Sequence, residues 1–275
     1  MRVLTAAVAA LALSAPRPRS RTCVMEAAGP DLSLLAQRIS DVQKGEADVR
    51  LVVLDSMVPG QKMTMTAPPQ LVELFQQRAC GRAFVVLGRQ GQNLHSHGVE
   101  VELESVKLRP VSPVHPEGTA DIVLSAVRLC EVLEISEDDG SLWLGRPARV
   151  RYIDVSSLDK EAPPEPAVLE RSEALAQNVE KWVGLVRKTG GERVASRLED
   201  VMANLGPMPE TPSARCLWVA GLINPSIPKL ELAEEVREVR PAVLMAKSVE
   251  LRLRAVEMGI RDSIRRLVDD GDVGV

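Results

Sequence analysis

From residue 30 onward the spacing of apolar positions changes period repeatedly, and each change marks an element. Asp31 caps a first amphipathic helix over Leu32 to Val42, with Leu34, Leu35 and Ile39 on one face, within an N-terminal helical region at 30–46. Val49 to Leu54 is then a β-branched apolar run ended by Asp55. Val58-Pro59-Gly60 supplies turn chemistry, and in Gln61 to Ala67 the residues Met63 and Met65 alternate with Lys62, Thr64 and Thr66, so two strands joined by a loop fit this stretch. Pro68-Pro69 opens a helix to Ala79, where Leu71, Val72, Leu74 and Phe75 recur at helical spacing and Gly81 provides the stop. Ala83 to Leu87 predicts another strand. Val99, Val101 and Leu103 alternate with Glu100, Glu102 and Glu104 before the apolar phase moves to Val106 and Leu108, which predicts a bulge near Ser105. Ile122 to Ile135 is a long apolar strand region. Asp139-Gly140 is a hairpin turn signal, and Leu142 to Leu144 and Ala148 to Val155 bring the chain back. Residues 49–155 therefore predict a rolled-up, mostly antiparallel sheet.

Glu161 to Pro166 holds three prolines and two acids and reads as a linker over 156–166. Beyond it, across 167–268, the period is helical. Val168, Leu175, Val179, Trp182 and Val186 form one stripe ending at Gly190-Gly191, and a shorter helix follows to Leu205. Pro207, Pro209 and Pro212 make the next break. Cys216 to Ile223 is a nearly all-apolar helix stopped by Asn224-Pro225. Leu230 to Val239 and Ala242 to Leu267 complete a bundle, the last with Val249, Leu253, Val256, Ile260, Ile264 and Leu267 in phase. The fold class is α+β.

Composition sharpens this picture. The chain has 275 residues, 45% hydrophobic, but only 2% aromatic, so aliphatic side chains fill the core and Trp143, Trp182 and Trp218 are scarce large anchors. Arg2 precedes an apolar run from Val3 to Leu13, with small residues Ala12, Ser14 and Ala15 suited to signal-peptidase cleavage. Pro16 to Thr22 is then basic, hydroxylated and free of acids. A secretory signal joined to a transit-like segment, together residues 1–24, is similar to the bipartite leader of algae whose plastid lies inside the endomembrane system. Plastid is the expected compartment, with secretion and mitochondrial import as alternatives. The formal net charge is −4, and taking away the four Arg of residues 1–24, which hold no acid, leaves −8. That balance opposes phosphate backbones and anionic lipid, so neither nucleic acid nor membrane is an expected partner.

Chemistry-bearing residues are sparse. Cys23, Cys80, Cys130 and Cys216 are irregularly spaced with no CxxC pair, and read as small buried hydrophobes after Cys23 leaves with the leader. His95-Ser96-His97 puts two imidazoles on one face if extended, and His115 could add a third zinc ligand; no accompanying Cys or acidic ligand pattern supports a site. Whether His95, His97 and His115 converge is left to the structure. Glu100, Glu102 and Glu104 read as the solvated face of a strand. Gly190-Gly191 follows Lys188-Thr189 in the wrong order for a phosphate loop, and neither GxSxG nor HExxH occurs. No catalytic residue, cofactor or metal ligand is assigned.

The order of parts, with several local phrases, resembles the N-terminal, substrate-engaging domain of Lon proteases over about residues 49–267. The opening phrase is Leu51 to Leu54, Pro59-Gly60, Met63 to Thr66 and Leu71 to Phe75. Later phrases are Val127 to Ile135, Asp139-Gly140, Gly145 and Arg149-Val150, and then Ser248, Glu250 and Arg252-Leu253. Ala148 stands where the family commonly has an aromatic. The resemblance implies a PUA-like β pseudo-barrel followed by a C-terminal helical bundle, as a stand-alone, algal plastid-type member. It implies unfolded or specific protein substrates as ligands, and a protease complex as a partner. With no GxxxxGK[ST] loop and no ATPase or protease segment, a non-catalytic protein- or peptide-binding adaptor is expected. A small-molecule or metal-dependent enzyme on the same barrel, or RNA binding through the PUA-like half, are the alternatives.

Overall fold

Two runs without a polar interruption, Leu51-Val52-Val53 and Phe84-Val85-Val86-Leu87, form the wall around which the molecule is organised; none of the seven is more than 2% exposed. In the computed structural model, which describes residues 36, 39–40, 43–76, 83–90, 93–109, 118–136, 145–161, 163–223 and 239–272, they belong to β1 (Glu46–Val53) and β3 (Ala83–Leu87). These strands pair in parallel, with Val49 opposite Ala83 and Val53 opposite Leu87. A strand apolar at consecutive positions must bury both faces, and this one does. One face meets Val99, Val101, Ile122 and Leu124 and the helix α1 (Pro69–Gln76), whose Phe75 ring stands edge-on to Phe84 at 5.3 Å between centroids. The other face meets Cys130, Ala148 and Val150.

The remaining strands are β2 (Lys62–Ala67), the short β4 (Arg89–Gln90) and β5 (Asn93–Leu94), β6 (His97–Arg109), β7 (Thr119–Ile135) and β8 (Arg146–Ile153). The order β2-β7-β6-β3-β1-β8, with an additional β7–β8 pairing, closes five strands into a ring and leaves β2 outside it as an extra strand on β7. The 17 residues of β7 serve both cores because its register slips. Ala126 lies opposite Val101, but Arg128 lies opposite Glu100, so Val127 is an extra residue. Before it the even-numbered Ile122, Leu124 and Ala126 face the α1 core; after it the even-numbered Cys130 and Val132 face the other. A second extra residue, Leu133, shifts the phase again so that Ile135 joins that second core. The bulge expected near Ser105 is also present, with Glu104 as the residue lacking an opposite number.

The helices are α2 (Val155–Glu161), α3 (Pro166–Thr189), α4 (Gly191–Leu205), α5 (Pro212–Ile223), α6 (Val239–Met245) and α7 (Val249–Asp272). The expected stripe of α3 is buried throughout, and the Trp182 indole donates to Ser263 Oγ of α7 at 2.8 Å. All residues from Cys216 to Ile223 in α5 are buried, as an all-apolar helix requires. The fold class is the expected one, an α+β pseudo-barrel followed by a helical bundle.

Two expected boundaries differ. The linker placed at 156–166 contains α2, because Asp154 caps a helix there: its carboxylate accepts from the Ser156 backbone N–H and hydroxyl, both at 2.9 Å, and these bonds hold its pKa below the usual carboxylate range. The helix expected over 242–267 is two helices, because Ser248 accepts from the Leu251 N–H at 3.3 Å and starts α7 afresh. Of the helix at 32–42, residues 36, 39 and 40 are described, as helix. The leader 1–24, the Asp139-Gly140 turn, Leu142 to Leu144 and the 230–239 helix up to residue 238 lie outside the described residues.

Leu129 of β7 and Ile153 of β8 pack into the bundle core, and one turn adds a hydrogen-bonded joint between barrel and bundle. Pro59 and Gly60, the latter at φ +87°, occupy the middle of a turn closed by Gln61 N–H to Val58 O at 3.1 Å, the arrangement of a type II turn. Gly60 N–H and Gln61 O both bond Ala126, which makes Gly60 the first residue of a glycine bulge opening β2. The same turn aims Gln61 at the bundle. Its Oε1 accepts from Val58 N–H at 3.0 Å, and its Nε2 donates to Gly221 O of α5 at 2.9 Å. A Cβ on Gly221 would press Val58, Leu205 and Gln61, so α5 approaches closely only as glycine. Gly60→Ala is expected to cost about 1–2 kcal/mol from the left-handed backbone. Gln61→Leu should cost about 1–3 kcal/mol for each buried group it leaves unbonded. Urea unfolding of both variants checks this; midpoints equal to wild type would contradict the joint.

Candidate binding surface

The outermost strand, β2, pairs with β7 from Lys62 opposite Ser125 to Ala67 opposite Ala120. The Ala126 N–H to Gln61 O bond, 2.8 Å, fixes the phase of that ladder. Met63, Met65 and Ala67 fall at hydrogen-bonded pairs, so Lys62, Thr64 and Thr66 turn their backbone N–H and C=O away from β7, toward a side where no further strand pairs among the described residues. On the other side of β7, β3 engages β6 at Val99 to Val101, and beyond that β6 pairs with β7 alone among the described residues. Strands β2, β7 and β6 thus extend past the ring as a three-stranded blade, on whose β2 side no further strand pairs among the described residues.

The blade's two faces differ. One is polar and cross-linked: Lys62 Nζ reaches Glu104 at 2.7 Å, Thr66 Oγ1 donates to Asp121 at 3.0 Å and Arg109 Nε donates to Asp121 at 2.9 Å. The hydrogen bond from Arg109 is the main cause holding the Asp121 carboxyl below its usual range. The other face carries Met65, Ile122 and Val106 in one row and Ala67, Ala120 and Leu108 in the next, and Ile122, Ala67 and Ala120 are buried in the α1 core. It ends at Leu108, which is 79% exposed. A strand edge that pairs with no further strand among the described residues can add an extended peptide as a further strand, with main-chain bonds supplying the affinity. Lys62 and the ion pairs supply the charge with which natural edges resist self-association.

Residues singled out in the sequence divide between surface and scaffold. Glu102 and Glu104 lie on the exposed polar face as expected, but Glu100 is 1% exposed. It sits where the ring closes, opposite Val85 and Arg128, so both faces of β6 are covered there; Arg128 in turn lies 5.6 Å over the Tyr152 ring. His95 is buried before β6, its Nδ1 3.3 Å from Ser56 Oγ and its backbone N–H bonded to Gly88 O at 3.0 Å. A Cβ on Gly88 would collide with Ser56 Oγ and the His95 ring, which makes this contact a scaffold knot. His97 is half-buried with Ser96 Oγ at 3.0 Å from its Nδ1, opposite Glu131 on β7. His115 lies outside the described residues, among which no three metal-ligating side chains gather.

Cys130 and Cys216 are buried, and desolvation pushes both thiols up to about 12, so they remain protonated hydrophobes at neutral pH. Cys23 and Cys80 lie outside the described residues. Gly190 ends α3, its N–H bonded to Val186 O. The phrases that carry the family resemblance have structural roles. Pro59-Gly60 forms the barrel–bundle joint, and Gly145, at φ +86°, offers its carbonyl to Arg50 at 3.0 Å. Arg149 pairs with Glu46 at 3.0 Å, Val150 and Ala148 pack in the second core, and Leu253 is fully buried. Arg252, 7% exposed, reaches toward Ser213 Oγ at 3.5 Å, and that hydroxyl donates to Asp159 at 2.5 Å. Sequence reading missed the β2 edge. The alternation from Lys62 to Thr66 marks a half-buried strand but not which side of it is paired. Among the described residues, no helix is long and apolar enough to cross a membrane.

The pseudo-barrel and bundle define a two-part α+β fold of the kind expected. No family model matches the chain, and no curated protein does. Among solved structures it is similar to the N-terminal domain of a Mycobacterium avium complex Lon protease, at 15% identity and TM-score 0.49, over 78% of this chain and 99% of that one. It is also similar to a Lon N-terminal domain protein from Xanthomonas campestris, at 14% identity and TM-score 0.45, over 77% of this chain and 98% of that one.

Burial holds the His97 pKa below the ordinary 6.5; Glu131 opposes this and Arg252 adds to it. Above that value the ring is neutral in both folded and unfolded chains. As pH falls through 6.5 the unfolded chain takes up the proton first, so stability is lost toward acid. Between about pH 7 and pH 5 the urea midpoint of wild type should therefore fall more steeply than that of His97→Gln. Parallel slopes would contradict the burial of the neutral ring.

Proposed function

We propose that this chain is a non-catalytic module that binds extended or unfolded segments of other proteins and serves as an adaptor in organellar protein quality control. The observation that carries the reading is the β2 edge, where Lys62, Thr64 and Thr66 present backbone donors and acceptors that no further strand takes up among the described residues. The sequence phrases and order of parts resembling Lon N-terminal domains support it, since substrate engagement is what that resemblance implies. Degradation of a captured protein would fall to a partner protease complex. The acidic balance of the chain favours protein over nucleic acid as ligand. The basic, acid-free leader supports a plastid address.

A permanently unfolded, carboxymethylated protein is the probe. The chain lacking residues 1–24 should bind it, and Thr64→Pro should weaken binding at least about tenfold, because proline removes an N–H that faces outward and leaves the ladder to β7 intact. A circular-dichroism melt close to wild type would show the variant folded; undiminished binding by it would contradict the edge as the site. Fused to a fluorescent protein, residues 1–40 should reach the plastid of an alga of the type described. Retention in mitochondria or secretion would contradict the address.

A further inference from the structure

Helix α7 carries a second face that its packing does not use. Leu253, Val256, Ile260 and Leu267 enter the bundle core, whereas Leu251, Arg254, Met258, Arg261, Arg265 and Val268 recur every three or four residues along the outside, all exposed. Leu251 is 52% exposed, Met258 46% and Val268 44%, so the three most exposed large apolar side chains of the helix share one stripe with three arginines. Beside it lies an open groove of 460 Å³ between α3 and α7, lined by Arg171, Glu250, Arg254, Glu257, Met258 and Arg261. Arg171 is already engaged, with a two-pronged bond to Glu257 at 2.6 and 3.1 Å. Among the described residues Arg265 has only an exposed pair with Asp262 at 3.6 Å, of little energetic weight. Arg254 and Arg261 form no salt bridge among the described residues.

We propose that this stripe docks an acidic amphipathic helix of a partner protein. Arg254 and Arg261 are two helical turns apart, about 10 Å, with Met258 between them. A partner helix bearing carboxylates at seven-residue spacing, and apolar side chains between, meets both cations and the thioether, which adapts its shape to varied side chains. Leu251 and Val268 extend the apolar contact over about 25 Å. Glu250 and Glu257 in the lining oppose a continuous phosphate backbone while leaving room for isolated carboxylates. The surface is distinct from the β2 edge and takes a folded helix, so it does not depend on the binding of unfolded segments.

Three helix-forming peptides of about 18 residues, matching the stripe in length, test it by fluorescence anisotropy against the chain lacking its leader. One has Glu at seven-residue spacing flanking Leu, one has Lys in place of Glu, and one has the acidic composition with the apolar face scrambled. The acidic amphipathic peptide should bind best, and R254E/R261E should weaken it at least about tenfold while restoring affinity for the Lys peptide. Met258→Asp gives a second variant should the double reversal unfold. Absence of binding, equal binding of all three peptides, or indifference to R254E/R261E would overturn the proposal. So would tighter binding of a single-stranded RNA oligonucleotide through the same arginines.

Discussion

The parallel pairing of β1 with β3 is the constraint on which the rest depends. Leu51-Val52-Val53 and Phe84 to Leu87 are apolar on both sides, so a single sheet face packed on a single layer cannot satisfy them. One side is covered by α1 and the first half of β7, the other by β8 and the second half of β7. Closing the ring forces β7 to serve both cores, and a strand of strict two-residue period cannot do that. The extra residue Val127 changes which side chains point where, and Leu133 changes it back. Both extra residues are more than a third exposed, at 38% each, as insertions that belong to neither core should be.

The same economy of backbone appears where the halves meet. A type II turn needs a positive φ at its third residue, and Gly60 supplies it; the bulge that results starts β2 and places Gln61 against Gly221 of α5. One turn therefore fixes the register of the outermost strand and the phase of its outward-facing amides, and it supplies one of the contacts that seat the bundle. The binding edge and the barrel–bundle joint are consequences of one local geometry, and a change at Gly60 reaches both.

Much of this was legible in the sequence. The consecutive β-branched runs, the alternation around Met63 and Met65, the phase shift near Ser105 and the stripe from Val168 to Val186 each carry a local period, and local periods survive into the fold. What depended on distant partners was not legible. Glu100 alternates like its exposed neighbours Glu102 and Glu104, but ring closure covers it. The segment after Ile153 looks like a linker because of its prolines, while the cap from Asp154 makes a helix just before them. The candidate edge stayed hidden for the same reason. The polar residues of β2 show that one face is wet, and only the pairing with β7 shows which side meets no further strand among the described residues. His95 is polar in sequence and buried in structure because Ser56, far along the chain, and the nearby Gly88 close around it.

The central claim is that the outward amides of β2 receive an extended segment, and residue-resolved hydrogen exchange measures it most directly. In the free chain the amides of Lys62, Thr64 and Thr66 should exchange quickly while those of Met63 and Met65, bonded to β7, exchange slowly. Addition of an unfolded protein should slow the first three and leave the pattern on β1 and β3 unchanged. Slow exchange at Lys62, Thr64 and Thr66 before any ligand is added, or protection that appears only elsewhere on the surface, would contradict the account.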